Sequence, residues 1–330
     1  MITEDIIDKA TESLFIDLGF KNEPAGLYDP LRYMIAIGGK RIRPKLCMLC
    51  YSMFKDEIDD EILPAAAAIE VFHSFTLIHD DIMDNASLRR GVPTVWRKWD
   101  RSTAILSGDV MSIESYRLIA KSPEKHLPEL LKVFSDTAAL VCEGQQYDME
   151  FEMKDSVSMD DYMQMIGLKT AALIACAAKM GAIVGGADHS DCEEVYQYAW
   201  ALGLAFQIAD DWLDTFGDPS VFGKAIGGDI LNNKKTWLLT KTFEEVGNDD
   251  AARLELLNAM TMPTDTEELK LKKINTVKNL YIKYGASRAA QDEIRRLHSV
   301  ALAHAERISV SKLRHSMLHR FADNLLSRAK

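Results

Sequence analysis

Residues 64–84 read Pro64-Ala65-Ala66-Ala67-Ala68-Ile69-Glu70-Val71-Phe72-His73-Ser74-Phe75-Thr76-Leu77-Ile78-His79-Asp80-Asp81-Ile82-Met83-Asp84. The run opens on a proline, whose missing N–H has no partner in a helix's first turn anyway. It then continues to Asp84 without a breaker, which predicts a helix. Three aspartates close it in the pattern DDxxD. On a helix, residues four apart differ by about 40° in azimuth and one turn in height. Asp80 and Asp84 therefore share a face, with Asp81 at its edge. Carboxylates packed this closely repel one another, and at a helix's C-terminal end the macrodipole disfavours them too. A cation is their natural partner. A few oxygen ligands per site suit Mg²⁺, which keeps water and takes substrate phosphate as its remaining ligands.

The pattern recurs at Asp210-Asp211-Trp212-Leu213-Asp214, where the same geometry groups Asp210, Asp211 and Asp214. A solvated acidic face is the ordinary reading of an aspartate run. It fits poorly here, because both runs follow strongly apolar stretches, residues 72–78 and 199–209. Charges at the ends of core helices point into a cavity or its rim. The remaining pattern is helical nearly throughout. Pro44 marks a second helix start, Ser190 with Glu193 reads as a capping box, and Ser158 with Asp161 as a weaker one. Turn chemistry falls at residues 21–30, 85–94 and 217–228. The expectation is an all-α helical bundle, a single domain over residues 1–330.

Composition narrows the function. A net charge of −11 argues against a nucleic-acid partner, which would call for a basic face. It also means that an anionic substrate needs local basic residues or bridging metal. Five cysteines suit a reducing compartment better than a disulfide framework. The start, Met1-Ile2-Thr3-Glu4-Asp5, lacks a signal peptide's basic residues. No apolar run reaches the roughly 20 residues of a bilayer span; the nearest, residues 171–187, is interrupted by Lys179. These features predict a soluble, cytoplasmic chain with no membrane span.

Basic residues lie in glycine-containing loops. Gly38-Gly39-Lys40-Arg41-Ile42-Arg43-Pro44 sets three cations at a helix N-terminus, a natural anion site. Ser87-Leu88-Arg89-Arg90-Gly91 lies just past the first aspartates, Lys224 lies in a glycine-flanked loop, and Lys234-Lys235 follow. Lys169-Thr170 interrupts an otherwise apolar helix. Any one of these cations alone reads as surface charge. Beside two metal-ligand runs they suggest diphosphate recognition, arginine as a fork and lysine as a point charge. His73 lies seven residues before Asp80, about 20° off the same face, which favours ligand contact over a plain core histidine. Cys47-Met48-Leu49-Cys50 has CxxC spacing, but no second pair accompanies it, and core thiols are the better reading.

These segments together carry a resemblance. Residues 38–44, 79–91, 169–170, 206–214 and 223–234 stand in the order found in trans-isoprenyl diphosphate synthases, the polyprenyl synthetase family. The resemblance spans almost the whole chain and implies a bundle around a deep central cavity, three Mg²⁺ ions and a homodimer. It implies head-to-tail condensation of isopentenyl diphosphate with an allylic diphosphate. The metal ligands would be Asp80, Asp84 and Asp210, with Asp81, Asp211 and Asp214 as ligands or their supports. Arg89, Lys169 and Lys224 would bind the allylic diphosphate, with Lys234 assisting. Lys40, Arg43, His73 and Arg90 would bind isopentenyl diphosphate. Thr170 and Gln207, with Lys169, would steady the developing cation. Three rivals are weaker. A carboxylate-bridged di-iron bundle needs two Glu-x-x-His pairs, and only Glu70-Val71-Phe72-His73 is present. A terpene cyclase needs no second diphosphate site, and a non-catalytic subunit would have lost motif residues.

Product length is read from the helix before Asp80. One isoprene unit is about one helical turn long, about 5 Å. Thr76, four residues upstream, shares the aspartate face and is small. Phe75 lies about 140° round the helix, so periodicity alone does not make it a wall. The resemblance does, since the family places chain-stopping bulk at those two positions. With one aromatic there and Phe72 a turn above, the expected product is geranylgeranyl diphosphate, with farnesyl diphosphate as the alternative.

Overall fold

The structure is a computed structural model that describes residues 2–16, 18–218 and 226–327. Helices follow one another in the order α1 (Glu4–Leu14), α2 (Ala25–Ala36), α3 (Ile42–Tyr51), α4 (Leu63–Met83), α5 (Val95–Lys98), α6 (Arg101–Ile119), α7 (Leu127–Glu152), α8 (Met159–Ile166), α9 (Ala172–Gly185) and α10 (His189–Phe216). After them come α11 (Gly228–Leu231), α12 (Trp237–Val246), α13 (Asp250–Met260), α14 (Glu267–Lys283), α15 (Ala286–Ala305) and α16 (Lys312–Leu326). Strand is confined, among the described residues, to a hairpin of β1 (Leu88–Arg89) and β2 (Val92–Pro93). The all-α class expected from the sequence is the class observed.

Contacts divide the chain into two compact units. The first comprises residues 1–137, 173–196 and 308–314. Its centre is the N-terminal half of α4, where every residue from Ala65 to Phe72 is buried. A helix buried on all sides must be surrounded by others, and the four alanines keep its girth small enough for that. Helix α6 presents Ala104, Ser107, Gly108, Met111, Ser115 and Leu118, a stripe at helical spacing, to the interior. Cys47, Cys50, Cys176 and Cys192 are free, buried thiols of this unit. Burial raises the Cys47 and Cys50 thiols well above their ordinary value, which suits the core reading of the CxxC spacing.

The second unit comprises residues 138–172, 197–307 and 315–330. Helix α12 supplies its buried Trp237, Leu238, Leu239 and Phe243. Tyr198 of α10 donates to the Leu318 carbonyl of α16 at 2.7 Å.

Several local features differ from expectation. Helix α10 starts at His189, and the cap is Asp188, whose carboxylate accepts from the Asp191 amide at 2.8 Å. An aspartate two residues before Ser190 captured the amides first. The cap at Ser158 is as expected, accepting from the Asp161 amide at 3.1 Å. Helix α2 begins at Ala25 and holds Pro30 inside it, so the loop expected over residues 21–30 is confined to its first few residues. The lysine–threonine interruption is a π-helical turn, Gly167–Ala171, between α8 and α9. Residues 159–185 are long and apolar enough by composition to cross a bilayer, but most of that stretch is buried within the fold, as a core helix is.

Candidate active site

In the first unit, α4 ends at Met83, with Asp84 as its C-cap. The three aspartates of this run are not equivalent. Asp81 is 2% exposed and is gripped by Arg89, whose Nε and Nη2 donate to its two oxygens at 2.8 Å each. Asp80 is half-buried and Asp84 exposed. Arg89 sits in β1, and the next two residues, Arg90 and Gly91, both have positive φ, 53° and 80°. That is the backbone of a two-residue hairpin turn with the favoured twist. The turn delivers Arg90 against the 38–43 loop. A Cβ at Gly39 would lie 2.6 Å from both terminal nitrogens of Arg90, and with φ 144° at this position glycine lets loop and guanidinium lie this close.

Around this contact the cations gather. Arg41, at the N-cap of α3 with φ 49°, donates to Glu70 at 2.8 Å and to the Ile35 carbonyl at 2.6 Å. Burial, countered by the charge of Glu70, pulls Arg43 down to about 10, which leaves it charged. His73 is held well below its ordinary range, first by burial and then by Arg43, Arg89, Arg90 and Arg41. It is therefore a neutral imidazole at neutral pH, a hydrogen-bonding group among guanidinium groups that supply the charge. Lys40 is exposed on the same loop.

A row of rings runs from the same helix. Phe75 packs edge-on to His79 (centroids 4.8 Å apart) and to Phe72 (5.2 Å). Phe72 packs on Phe134 at 5.2 Å, and Phe134 on Tyr116 at 5.1 Å. Phe72 is buried and Phe75 half-buried. Thr76 Oγ1 donates back to the His73 carbonyl at 2.8 Å, so its polar atom is satisfied locally.

The second unit shows the same division of labour. Asp211 is buried and accepts from Tyr162 Oη at 2.5 Å, the Trp237 amide at 2.8 Å and Gln207 Nε2 at 3.0 Å. Burial pushes its carboxyl up to about 7, with the neighbouring Asp229 adding to it. Asp210 and Asp214 are half-buried. Asp214 accepts from the Asp229 amide at 3.0 Å. Gln207 passes the link onward, its Oε1 accepting from Thr170 Oγ1 at 2.9 Å. Lys169 donates to Asp148 of α7 at 2.6 Å. A Cβ at Gly144 would lie 2.3 Å from the Lys169 amide nitrogen, so this glycine lets α7 reach the π-helical turn. Asp148, Tyr162, Lys169, Thr170, Gln207 and Lys234 line one cavity.

Nearly every residue singled out from the sequence thus falls into one of two side-chain groups, one per unit; Lys224 lies outside the described residues. Sequence reasoning missed Asp148, Tyr162 and Asp229. It also missed that Glu70 partners Arg41, although a lone acid inside an alanine-rich run is a signal that a buried cation must meet it. Among the described residues no group of three His, Cys, Asp or Glu side chains stands ready to hold a metal alone.

The helical fold, the basic loop–hairpin cluster and the carboxylates at helix ends define the class: an all-α enzyme built to handle anionic substrates. The polyprenyl synthetase family model matches residues 24–276. The geranylgeranyl diphosphate synthase of Methanosarcina mazei is 37% identical over 269 residues, 79% of this chain and 81% of that one. Other relatives of similar identity are named short chain isoprenyl or geranylfarnesyl diphosphate synthases. A crystal structure of geranylgeranyl pyrophosphate synthase superposes with a TM-score of 0.92 at 44% identity, covering 99% of both chains. Another, from Corynebacterium glutamicum in complex with isoprenyl diphosphate and magnesium, gives 0.84 at 26% identity, covering 98% of both. The chain belongs to the polyprenyl synthetase family, and it is a prenyltransferase.

Proposed function

We propose that this chain condenses isopentenyl diphosphate with allylic diphosphates, dimethylallyl, geranyl and farnesyl, to give chiefly geranylgeranyl diphosphate with release of diphosphate. The carrying observation is the cluster of Arg41, Arg43, Arg89 and Arg90 around His73 and buried Glu70. Such an excess of cation in one pocket suits a diphosphate held apart from the metal-bound one. The Methanosarcina and Corynebacterium proteins, named for the twenty-carbon product, support the product reading. We further read the two units as one synthase domain, since the family match runs through segments of both.

Mg²⁺ suits the outer carboxylates, Asp80 and Asp84 on one helix end and Asp210 and Asp214 on the other, which keep access to solvent. When bound there, in the three-ion set expected from the resemblance, it supplies Lewis-acid neutralisation of the leaving diphosphate. Asp81 and Asp211, consumed by local donors, act by position: Asp81 aims Arg89, and Asp211 fixes Gln207. Because Thr170 spends its proton on Gln207 Oε1, its oxygen lone pairs remain to face an allylic cation in the cavity. Lys169 and Lys234, with Arg89 and Lys224, hold the allylic diphosphate. Lys40, Arg43, His73 and Arg90 hold isopentenyl diphosphate. The last proton leaves to the released diphosphate, so no side-chain base is needed. A homodimer is supported by Ile105, Leu106 and Ile113, exposed on α6; light scattering of the purified protein checks it.

Incubating the protein with isopentenyl diphosphate, each allylic substrate and Mg²⁺, then sizing the products, tests the whole reading; absence of any condensation product would overturn it. Within it, Arg90→Ala is expected to raise KM for isopentenyl diphosphate more than for the allylic substrate, and Lys169→Ala the reverse. Charge-assisted contacts of this kind contribute about 1.5–3 kcal/mol each. Equal effects on both substrates would mean the two diphosphate sites are misassigned.

A further inference from the structure

We propose that Glu70 and Arg41 form a positioning pair that holds the 38–43 loop in its anion-binding shape; this rests on the assignment of that loop to isopentenyl diphosphate. The loop has little stiffness of its own. Gly38 and Gly39 both have positive φ, 76° and 144°, and glycine restrains its backbone least. Arg41 ties it down in three directions. Its guanidinium donates to Glu70 of α4 at 2.8 Å and to the Ile35 carbonyl at the end of α2 at 2.6 Å. Its face lies 4.3 Å from the centre of the Phe15 ring. The side chains of Arg41 and Glu70 are 11% and 5% exposed, so the pair is enclosed and geometrically committed.

The register matters. Glu70 stands one turn before His73 on α4, and Arg41 stands two residues before Arg43 and one after Lys40. Fixing Arg41 on Glu70 therefore sets Arg43 near His73 before any ligand arrives. Both terminal nitrogens of Arg41 are held by Glu70 and the Ile35 carbonyl, so it works through its neighbours. Preorganisation of this kind removes an ordering cost from binding. A buried ion pair is weak as a source of stability but well suited to fixing one arrangement.

Two physical roles for Glu70 predict opposite signs. If it were merely a counter-charge, Glu70→Gln would make the pocket more positive and tighten diphosphate binding, while Arg41→Gln would loosen it. If the pair positions the loop, both changes loosen it. The experiment is calorimetric titration of isopentenyl diphosphate and of inorganic diphosphate into wild type, Glu70→Gln, Arg41→Gln and the double variant, with thermal midpoints recorded alongside. Each single variant is expected to weaken isopentenyl diphosphate binding by about tenfold. The double variant should be little weaker than either single, because both act through one contact. The KM for isopentenyl diphosphate should rise more than that for the allylic substrate.

Tighter binding in Glu70→Gln, or a lowered thermal midpoint with unchanged affinity, would overturn the proposal. If Glu70→Gln does not fold, Arg41→Gln and the charge-keeping Glu70→Asp carry the test: the first should weaken binding, the second weaken it less, and unchanged affinity in both overturns the pair. Failure of the underlying assignment looks different. Wild type would then bind isopentenyl diphosphate no better than inorganic diphosphate and form no product, while the inorganic probe still reports on the loop.

Discussion

Asp80→Ala and Asp210→Ala are each expected to slow prenyl transfer by about 10²-fold or more, the scale of removing one preorganised electrostatic contact to a developing charge. Each removes an outer carboxylate from a group of neighbouring acids whose repulsion a bound cation would offset. The rate should also need more Mg²⁺ to saturate, and chelation of the wild type should abolish it. Asp211→Asn offers a contrast. Its carboxylate already receives Tyr162, Gln207 and the Trp237 amide, so its loss should lower kcat by misplacing Gln207 and Thr170, with the Mg²⁺ requirement little changed. Rate against Mg²⁺ concentration for the three variants separates the two roles. Near wild-type turnover in Asp80→Ala or Asp210→Ala would sink the metal assignment.

Phe75→Ala is expected to lengthen the product by one or more isoprene units. Phe75 is the first phenyl ring upstream of the aspartates and is half-buried. Behind it Phe72 stands 5.2 Å away between centroids, about the length of one unit. Removing the first ring should therefore move the stop to the second, and a Phe72/Phe75 double variant should move it on toward Phe134. Because Phe75 is not fully enclosed, the stability cost should fall below the ~3–5 kcal/mol of a fully buried Phe→Ala change. Chromatography of the hydrolysed products reads the length directly. An unchanged distribution from a folded Phe75→Ala protein would place the floor elsewhere.

Much of this was legible before any coordinates. Residues 64–84 announce a core helix because periodicity, a leading proline and an unbroken apolar run all agree. The two aspartate runs announce cation chemistry because like charges at neighbouring helix positions have no local remedy. What periodicity could not supply was which aspartate of each run is turned inward. In both runs it is the second, Asp81 or Asp211, and in both the reason is a donor from another element that helix periodicity does not place: Arg89 from a hairpin, Tyr162 and Trp237 from other helices. The pairing of Lys169 with Asp148 was hidden for the same reason, since 21 residues separate them. The π-helical turn escaped notice because its sequence, Gly167-Leu168-Lys169-Thr170-Ala171, is an acceptable α-helix. Local propensity does not register an extra residue inserted into a turn.

The neutral state of His73 has a consequence for how the enzyme meets changing acidity. Guanidinium groups keep their protons throughout the physiological range, and even Arg43, drawn down to about 10, remains charged there. With His73 held well below its usual range, the imidazole adds no charge of its own to that pocket at neutral pH. The guanidinium cluster is thus a receptor of fixed charge. Any drift of isopentenyl diphosphate affinity across the physiological range would then report the ligand's own last phosphate proton, which leaves near pH 6. Mild acidification would weaken capture by changing the substrate while leaving the charge of those guanidinium groups as it was.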